Sequence, residues 1–124
     1  ADLGIHLGEA ETFIRKALDI RPDDGYIIDS MGWVYFQQGK YDKAVDYLER
    51  AAQLTDYEAI IAEHLADAYV KNGQIVKALK TYHRSLAQAE ESDTELISRV
   101  TEKIRTLELQ LQDPDTENTG DALP

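Results

Sequence analysis

The amino-acid sequence predicts an all-α fold of antiparallel helix pairs stacked side by side, about six helices in total. Three observations lead to this prediction. The 124-residue chain matches itself when it is shifted by about 34 residues, a shift called the repeat period below. Within each unit, apolar residues recur three and four residues apart, which is the spacing of one helix face. Glycine or proline stands at three of the five turns between the helical stretches, and no strand is predicted.

The self-similarity appears in three alignments of the chain with itself, all at the same repeat period. Gly39 falls on Gly73 after one shift, and the reverse shift places residues 7–20 on residues 41–54. Agreement in three registers makes chance a poor explanation. The chain therefore carries the second half of one unit, then two full units.

The predicted helices follow from these patterns in order. The first helix ends before the break at residues 22–25, which contains Pro and Gly. Gly39 and Gly73 each follow the first helix of a full unit, where a left-handed C-terminal cap favours glycine. The last helix opens with the capping-box pattern Ser92-x-x-Glu95. The predicted boundaries are about 8–20, 25–38, 41–54, 58–72, 75–88 and 93–111.

Small residues inside the first full unit predict a close crossing of its two helices. Gly32 shares a helix face with Ile28 and Tyr35, and Ala44 lies on the facing side of the second helix. A glycine inside a helix costs about 1 kcal/mol relative to alanine, so its presence needs a packing reason. We therefore predict that Gly32 and Ala44 let the two backbones approach closely.

The end of the chain departs from the repeat. The last helix lacks the small residues and is predicted to cover the apolar side of the last unit, as helical arrays require. Residues 113–124 carry four acidic residues, no Lys or Arg and little apolar area, so we expect a disordered tail. The predicted division is a repeat domain over 1–112 (half repeat 1–24, full repeats 25–58 and 59–92, capping helix 93–112) and the acidic tail 113–124.

These motifs resemble the tetratricopeptide repeat, a helix–turn–helix unit of about 34 residues. The resemblance covers about residues 7–90 and rests on Met31-Gly32-x-x-Tyr35 then Ala44-x-x-x-Leu48, and on Leu65-Ala66-x-x-Tyr69 then Ala78-x-x-x-Tyr82. The chain departs from the family pattern at the leading tryptophan and the closing proline, which are replaced by Ile28, Ala62, Asp56 and Glu90. The resemblance implies a right-handed α-solenoid whose first helices line a concave groove.

A narrower resemblance concerns residues 29–35, Asp-Ser-Met-Gly-Trp-Val-Tyr. This stretch is similar to repeats of long bacterial multi-repeat proteins, some of which are envelope lipoproteins. The sequence also opens on the second helix of a unit. Together these observations indicate a C-terminal fragment of a longer bacterial tetratricopeptide array.

Composition excludes several classes of function. The net charge of −11 argues against a nucleic acid or an anionic membrane as the main partner, because both attract basic surfaces. No apolar run reaches the ~18 residues of a membrane span, so direct membrane insertion is not expected. Absence of cysteine excludes disulfides, thiolate metal sites and cysteine nucleophiles. We expect a soluble protein and leave its compartment, cytoplasmic or periplasmic, open.

The histidines do not predict a catalytic or metal site. His64 lies one turn from Asp67 and beside Glu63, but no second helix offers matching ligands, so an exposed polar face is the preferred interpretation. His6 and His83 have no nucleophile nearby in the sequence, and no glycine-rich phosphate loop follows a strand. We therefore predict that the protein is not an enzyme and has no catalytic residues, metal or cofactor.

A second stripe of residues lies about 100° around the first helices from their packing face. Its members are Tyr26, Asp29, Trp33, Phe36 and Gln37 in one repeat, and Ile60, Glu63, Asp67, Val70 and Lys71 in the next. The resemblance implies that these ten residues face the groove, and exposed Trp and Tyr often anchor a partner. The alternative is that Trp33 and Phe36 only fill the contact with neighbouring helices.

The charges of this stripe bear on the partner. Tetratricopeptide domains that hold the C-terminal carboxylate of a chaperone do so with Lys, Asn and Arg on this face. Here the stripe offers Asp29, Glu63 and Asp67, with Lys71 as the only base. An apolar or basic peptide is therefore expected.

The predicted function is a protein–protein interaction scaffold that binds a peptide or a partner subunit in the groove. The alternative is an assembly or self-association segment of a longer repeat array. In that case the exposed N-terminal half repeat would pair with another chain and give a homo-oligomer.

Overall fold

A computed structural model describes residues 2–112, with side chains from residue 6 onward. These residues form helices and turns, with no strand among them. The helices are α1 Asp2–Ile20, α2 Gly25–Gln37, α3 Tyr41–Leu54, α4 Ala59–Lys71, α5 Ile75–Gln88 and α6 Thr94–Leu111. The prediction is confirmed to within one residue at every boundary except the start of α1, which lies earlier. The predicted tail, residues 113–124, lies outside the described residues.

Neighbouring helices in the chain are also neighbours in space. The pairs α2–α3 and α4–α5 make the most extensive contacts, α1 packs on α2, α3 packs on α4, and α6 packs mainly on α5. The first helices α2 and α4 also touch each other. This is the stacked arrangement of antiparallel pairs that the repeat period predicted.

Glycine ends the first helix of each pair, as predicted. Gly39 and Gly73 have φ values of 78° and 79°, in the left-handed region that side chains other than glycine rarely adopt. The next residue in each case returns a hydrogen bond to the helix: the Lys40 amide donates to the Tyr35 carbonyl at 2.9 Å. The two turns are therefore built alike.

The close crossing at Gly32 is confirmed. A Cβ atom built on Gly32 would lie 2.7 Å from Cγ of Leu48, too close for any side chain without movement. Ala44 and Leu48 are fully buried on the facing helix. The sequence did not reveal that Gly25, at the start of α2, is just as close to its partner helix: a Cβ there would lie 2.6 Å from Cγ2 of Thr55.

The start of α6 differs by one residue from the predicted capping box. The Asp93 carboxylate, instead of the Ser92 hydroxyl, accepts the hydrogen bond from the Leu96 amide at 3.2 Å. A carboxylate at this position also interacts favourably with the positive end of the helix dipole, which accounts for the shift.

Candidate functional site

The predicted groove residues, hereafter the groove face, lie five on α2 and five on α4. They differ widely in exposure. Tyr26 is 61% exposed and Ile60 is 45% exposed. These two residues stand at equivalent positions of the two repeats, one repeat period apart. Gln37 and Lys71, at the other ends of the helices, are also exposed.

Aromatic stacking joins α2 to α4 in the middle of the groove face. The ring of Trp33 lies 4.5 Å from that of Phe36, almost parallel to it, and 4.3 Å from the imidazole of His64. The same imidazole contacts Asp29, whose carboxylate lies 2.8 Å from Nδ1. The prediction that His64 stands on an exposed polar face is therefore wrong. Its ring is half-buried because Trp33 and Asp29 hold it from two sides.

Ion pairs join α4 to α6 farther along the face. Glu63 is only 4% exposed, and the Arg99 guanidinium donates to both of its carboxylate oxygens at 2.7 Å. The Lys103 ammonium lies 2.8 Å from the Glu63 carboxylate and 3.0 Å from that of Asp67. Asp67 also accepts a hydrogen bond from the Tyr82 hydroxyl. The prediction that Glu63 and Asp67 offer negative charge to a partner is wrong, because α6 neutralises both.

The hydrogen bonds outweigh burial in setting the ionisation of this network. Burial by itself would raise the pKa of the Glu63 carboxyl, but donation from Arg99 and Lys103 brings this pKa below its usual range. Burial would lower the pKa of the Lys103 ammonium, yet its bonds to Glu63 and Asp67 leave this pKa above its usual value. The buried carboxylate and its two cations are therefore all charged at neutral pH.

A signal in the sequence could have located these cations. Shifting the chain by one repeat period places Arg99 on Leu65 and Lys103 on Tyr69. Both residues of α4 are buried packing positions, so two basic residues in their places require acidic partners. In the structure Glu63 is the partner of both cations.

Among the residues the structure describes, no group of three or more His, Cys, Asp or Glu side chains is placed to hold a metal ion. Nor does any helix within 2–112 have the length and apolar character needed to cross a membrane. A cavity of about 230 Å³ adjoins the groove face between α4 and α6, lined by Val70, Tyr82, Lys103 and Leu107 among others.

A comparison with protein families agrees with this architecture. The family model described as tetratricopeptide repeat matches residues 35–99, more than half of the chain. The chain belongs to the tetratricopeptide repeat family. The match runs from the end of α2 into α6, so it includes Glu63 and Arg99 but ends before Lys103.

Relatives within the tetratricopeptide repeat family include much longer proteins. The TPR repeat-containing protein PA4667 of Pseudomonas aeruginosa is 44% identical over 68 residues, which are 54% of this chain and 11% of that protein. This chain thus spans about a tenth of the length of that relative.

Solved structures share the fold. A tetratricopeptide repeat protein of Thermus thermophilus, TTC0263, superposes with a TM-score of 0.70 at 29% identity, covering 83% of this chain and 50% of that one. PcrH, solved in complex with the chaperone binding region of PopD, superposes with a TM-score of 0.79 at 15% identity, covering 89% and 84%. The predicted helical solenoid of tetratricopeptide repeats is therefore confirmed.

Proposed function

We propose that the groove face of this tetratricopeptide repeat protein binds a peptide segment of another protein. The observation that carries the proposal is the pair Tyr26 and Ile60, which are large, exposed and at equivalent positions of neighbouring helices. Exposed apolar side chains grouped on one face of a soluble domain often mark an interaction site. The half-buried ring of Trp33 lies on the same face and extends this apolar surface.

The pairing of the acids favours an apolar partner over a basic one. Glu63 and Asp67 are already bonded to Arg99 and Lys103, and Asp29 is bonded to His64. A basic peptide would have to displace these internal partners, whereas an apolar side chain can bury Tyr26 and Ile60 without breaking an ion pair. We accordingly propose a short segment with one or more apolar anchors, bound without catalysis or a cofactor.

The proposal keeps the predicted division of the chain. The repeats at 25–58 and 59–92 supply the binding surface, and the half repeat at 1–24 and the helix at 93–112 flank it. The same fold holds a segment of another protein in the PcrH–PopD complex.

Selection from a random peptide library displayed on phage tests the proposal. We expect the enriched peptides to be apolar and to bind the purified chain, as measured by fluorescence anisotropy. Ile60→Ala and Tyr26→Ala should each weaken binding by about tenfold, because each removes an exposed anchor.

Leu54 offers a matched control for Ile60. It is 46% exposed against 45% for Ile60, but it lies at the end of α3, a helix that contributes no residue to the groove face. Leu54→Ala should change the affinity by less than about twofold. Equal losses in the Leu54 and Ile60 variants would show that the peptides bind exposed apolar groups without using this face.

A second candidate function, self-association through α1, rests on a separate observation. Phe13 is 77% exposed and Ile20 is 80% exposed. The residue equivalent to Phe13 in the next unit is Tyr47, whose ring packs 5.2 Å from that of Tyr35 on the first helix of its own pair. The exposed side of α1 is thus suited to receive a helix, and a second copy of the chain would supply one.

Sedimentation equilibrium distinguishes this candidate. A self-associating chain should become monomeric in a Phe13→Ser, Ile20→Ser double variant and remain associated in a Leu109→Ser variant, since Leu109 is an exposed apolar residue on α6. A native chain that stays monomeric at high concentration would rule out self-association and leave the proposal for the groove face untouched.

A further inference from the structure

The outward side of α5 is a basic stripe in an acidic protein. Lys77, Lys80, His83 and Arg84 are all exposed and lie on neighbouring turns of this helix. The helix, IVKALKTYHRSLAQ, contains no acidic residue, although the whole chain has a net charge of −11. Lys80 and Arg84 stand four residues apart, so they share one side of the helix. The basic stripe is therefore local and not a reflection of overall composition.

The equivalent helix of the preceding repeat carries mixed charge. At the positions one repeat period earlier, α3 has Lys43, Asp46, Glu49 and Arg50. Two of these four charges have partners within the chain: the Arg50 guanidinium lies 2.7 Å from a carboxylate oxygen of Asp23, and Glu49 accepts from a tyrosine hydroxyl of the next repeat. The same scaffold positions thus hold two acids and two bases in α3, but three bases and a histidine in α5.

Ion pairing within the described part of the chain does not compensate the charge of Lys80 or Arg84, although Arg84 packs on an aromatic ring. Over the described residues, neither Lys80 nor Arg84 takes part in an ion pair, and the Arg84 guanidinium lies 3.4 Å from the centre of the Tyr57 ring. Like charges four residues apart on a helix repel each other and destabilise it. The stripe therefore lowers the stability of its own helix, and a charge on a second molecule would relieve the repulsion.

We infer that the outward side of α5 is a second binding surface, which takes a short acidic segment of a partner protein. The stripe from Lys77 to Arg84 spans seven residues, or about 10 Å along a helix. That length matches three or four residues of an extended peptide. Acidic residues begin directly beyond the helix at Glu90, Glu91 and Asp93, so a long polyanion such as a nucleic acid would meet repulsion there. A short acidic peptide would contact only the basic residues of the stripe and would not reach these acidic residues.

This surface is independent of the groove face. The groove face lies on α2 and α4, whereas the basic stripe lies on the side of α5 opposite the buried residues Ala78 and Tyr82. Loss of one surface should leave the other intact, so the two proposals fail separately.

The test uses a fluorescein-labelled tetraglutamate peptide, which matches the length of the stripe, and the full chain, with binding followed by anisotropy at about 20 mM NaCl, where screening is weak. We expect saturable binding that Lys80→Glu with Arg84→Glu weakens by about tenfold or more. The matched control is Lys43→Glu with Arg50→Glu, which occupies the equivalent side of α3 and changes the net charge by the same amount. It should weaken binding by less than about threefold, through long-range repulsion alone.

Three outcomes would overturn the inference. Equal weakening in the two double variants would show that the peptide senses only net charge. Absence of binding by the native chain would show that the basic stripe is a solvent-exposed surface that does not bind acidic peptides. Tighter binding of a labelled oligothymidylate of the same length would assign the surface to nucleic acid.

A single-residue comparison guards against misfolding, because Arg84 also touches Tyr57. No hydrogen bond, ion pair or ring contact involves the Lys80 side chain among the described residues, so Lys80→Glu should keep the native circular dichroism spectrum. It should weaken peptide binding by about threefold, against no change for Lys43→Glu. Equal effects of these two substitutions would contradict the inference.

Discussion

The contact between α2 and α4 and the contact between α4 and α6 occupy equivalent places in the array but use different chemistry. The three helices begin at Gly25, Ala59 and Thr94, close to one period apart. The first contact is aromatic, with Trp33 stacked on His64. The second is ionic, with Glu63 held by the cations of α6.

This difference separates a structural contact from a candidate binding surface. A carboxylate that is only 4% exposed and has no cation nearby would strongly destabilise the folded state. The ion pairs of Glu63 with Arg99 and Lys103 must therefore persist in the folded protein. The acidic group at the aromatic contact, Asp29, is less buried than Glu63 and pairs with His64 within the same contact. Trp33 keeps part of its surface accessible beside the exposed Tyr26. A partner can therefore use the α2–α4 contact without breaking the fold, whereas the α4–α6 contact serves stability.

The largest expected effect comes from removing both cations of the ionic contact. Arg99→Ala with Lys103→Ala leaves Glu63 buried and unpaired, which should lower the free energy of unfolding by about 3–5 kcal/mol. Urea denaturation followed by circular dichroism measures the loss. Glu102 and Arg105 form an exposed ion pair on the same helix and provide the control. Replacing that pair by alanines should leave the free energy of unfolding unchanged. A loss as large as for Arg99→Ala with Lys103→Ala would mean that the contact with Glu63 is not the source of the stability.

Overpacking the crossing inside the first full repeat should have the next largest effect. Gly32→Leu places a side chain where even a Cβ would lie 2.7 Å from Leu48, so we expect a loss of about 1–3 kcal/mol or more. The thermal midpoint of unfolding reports it. An unchanged midpoint would mean that α2 and α3 can separate at this point without cost.

A smaller, pH-dependent effect should distinguish the ionic contact from the aromatic one. Glu63→Gln should lower stability by about 1 kcal/mol at neutral pH, because charge-assisted hydrogen bonds become neutral ones. The pKa of Glu63 is lowered in the folded chain from its ordinary value of 4.5, so its contribution is complete above that pH and is lost as the pH falls below it. The native chain and the variant should thus converge in stability in acid. A difference that persists there would exclude ionisation of Glu63 as its source.

Local features were predictable from the sequence, and contacts between distant residues were not. Gly39 and Gly32 follow from the needs of one turn and one crossing, both of which the repeat period makes visible. Arg99, a partner of Glu63, lies 36 residues away by contrast, in α6, whose sequence does not follow the repeat pattern. Periodicity says which face a residue occupies, but a long Arg or Lys side chain can reach across to another face. The acidic groove was mispredicted for this reason.

The most direct test of the account measures stability and affinity together in two variants, Trp33→Ala and Lys103→Ala. Affinity is determined for the apolar peptides selected on the native chain and is expressed per folded molecule. We predict that Trp33→Ala weakens binding by about 2 kcal/mol or more while the protein stays folded, because the anchor is lost from an accessible face. Lys103→Ala should lower stability and keep native affinity. A Trp33→Ala variant that loses most of its thermal stability yet binds the peptides as tightly as the native chain would contradict the account, and Trp33 would then belong to the core.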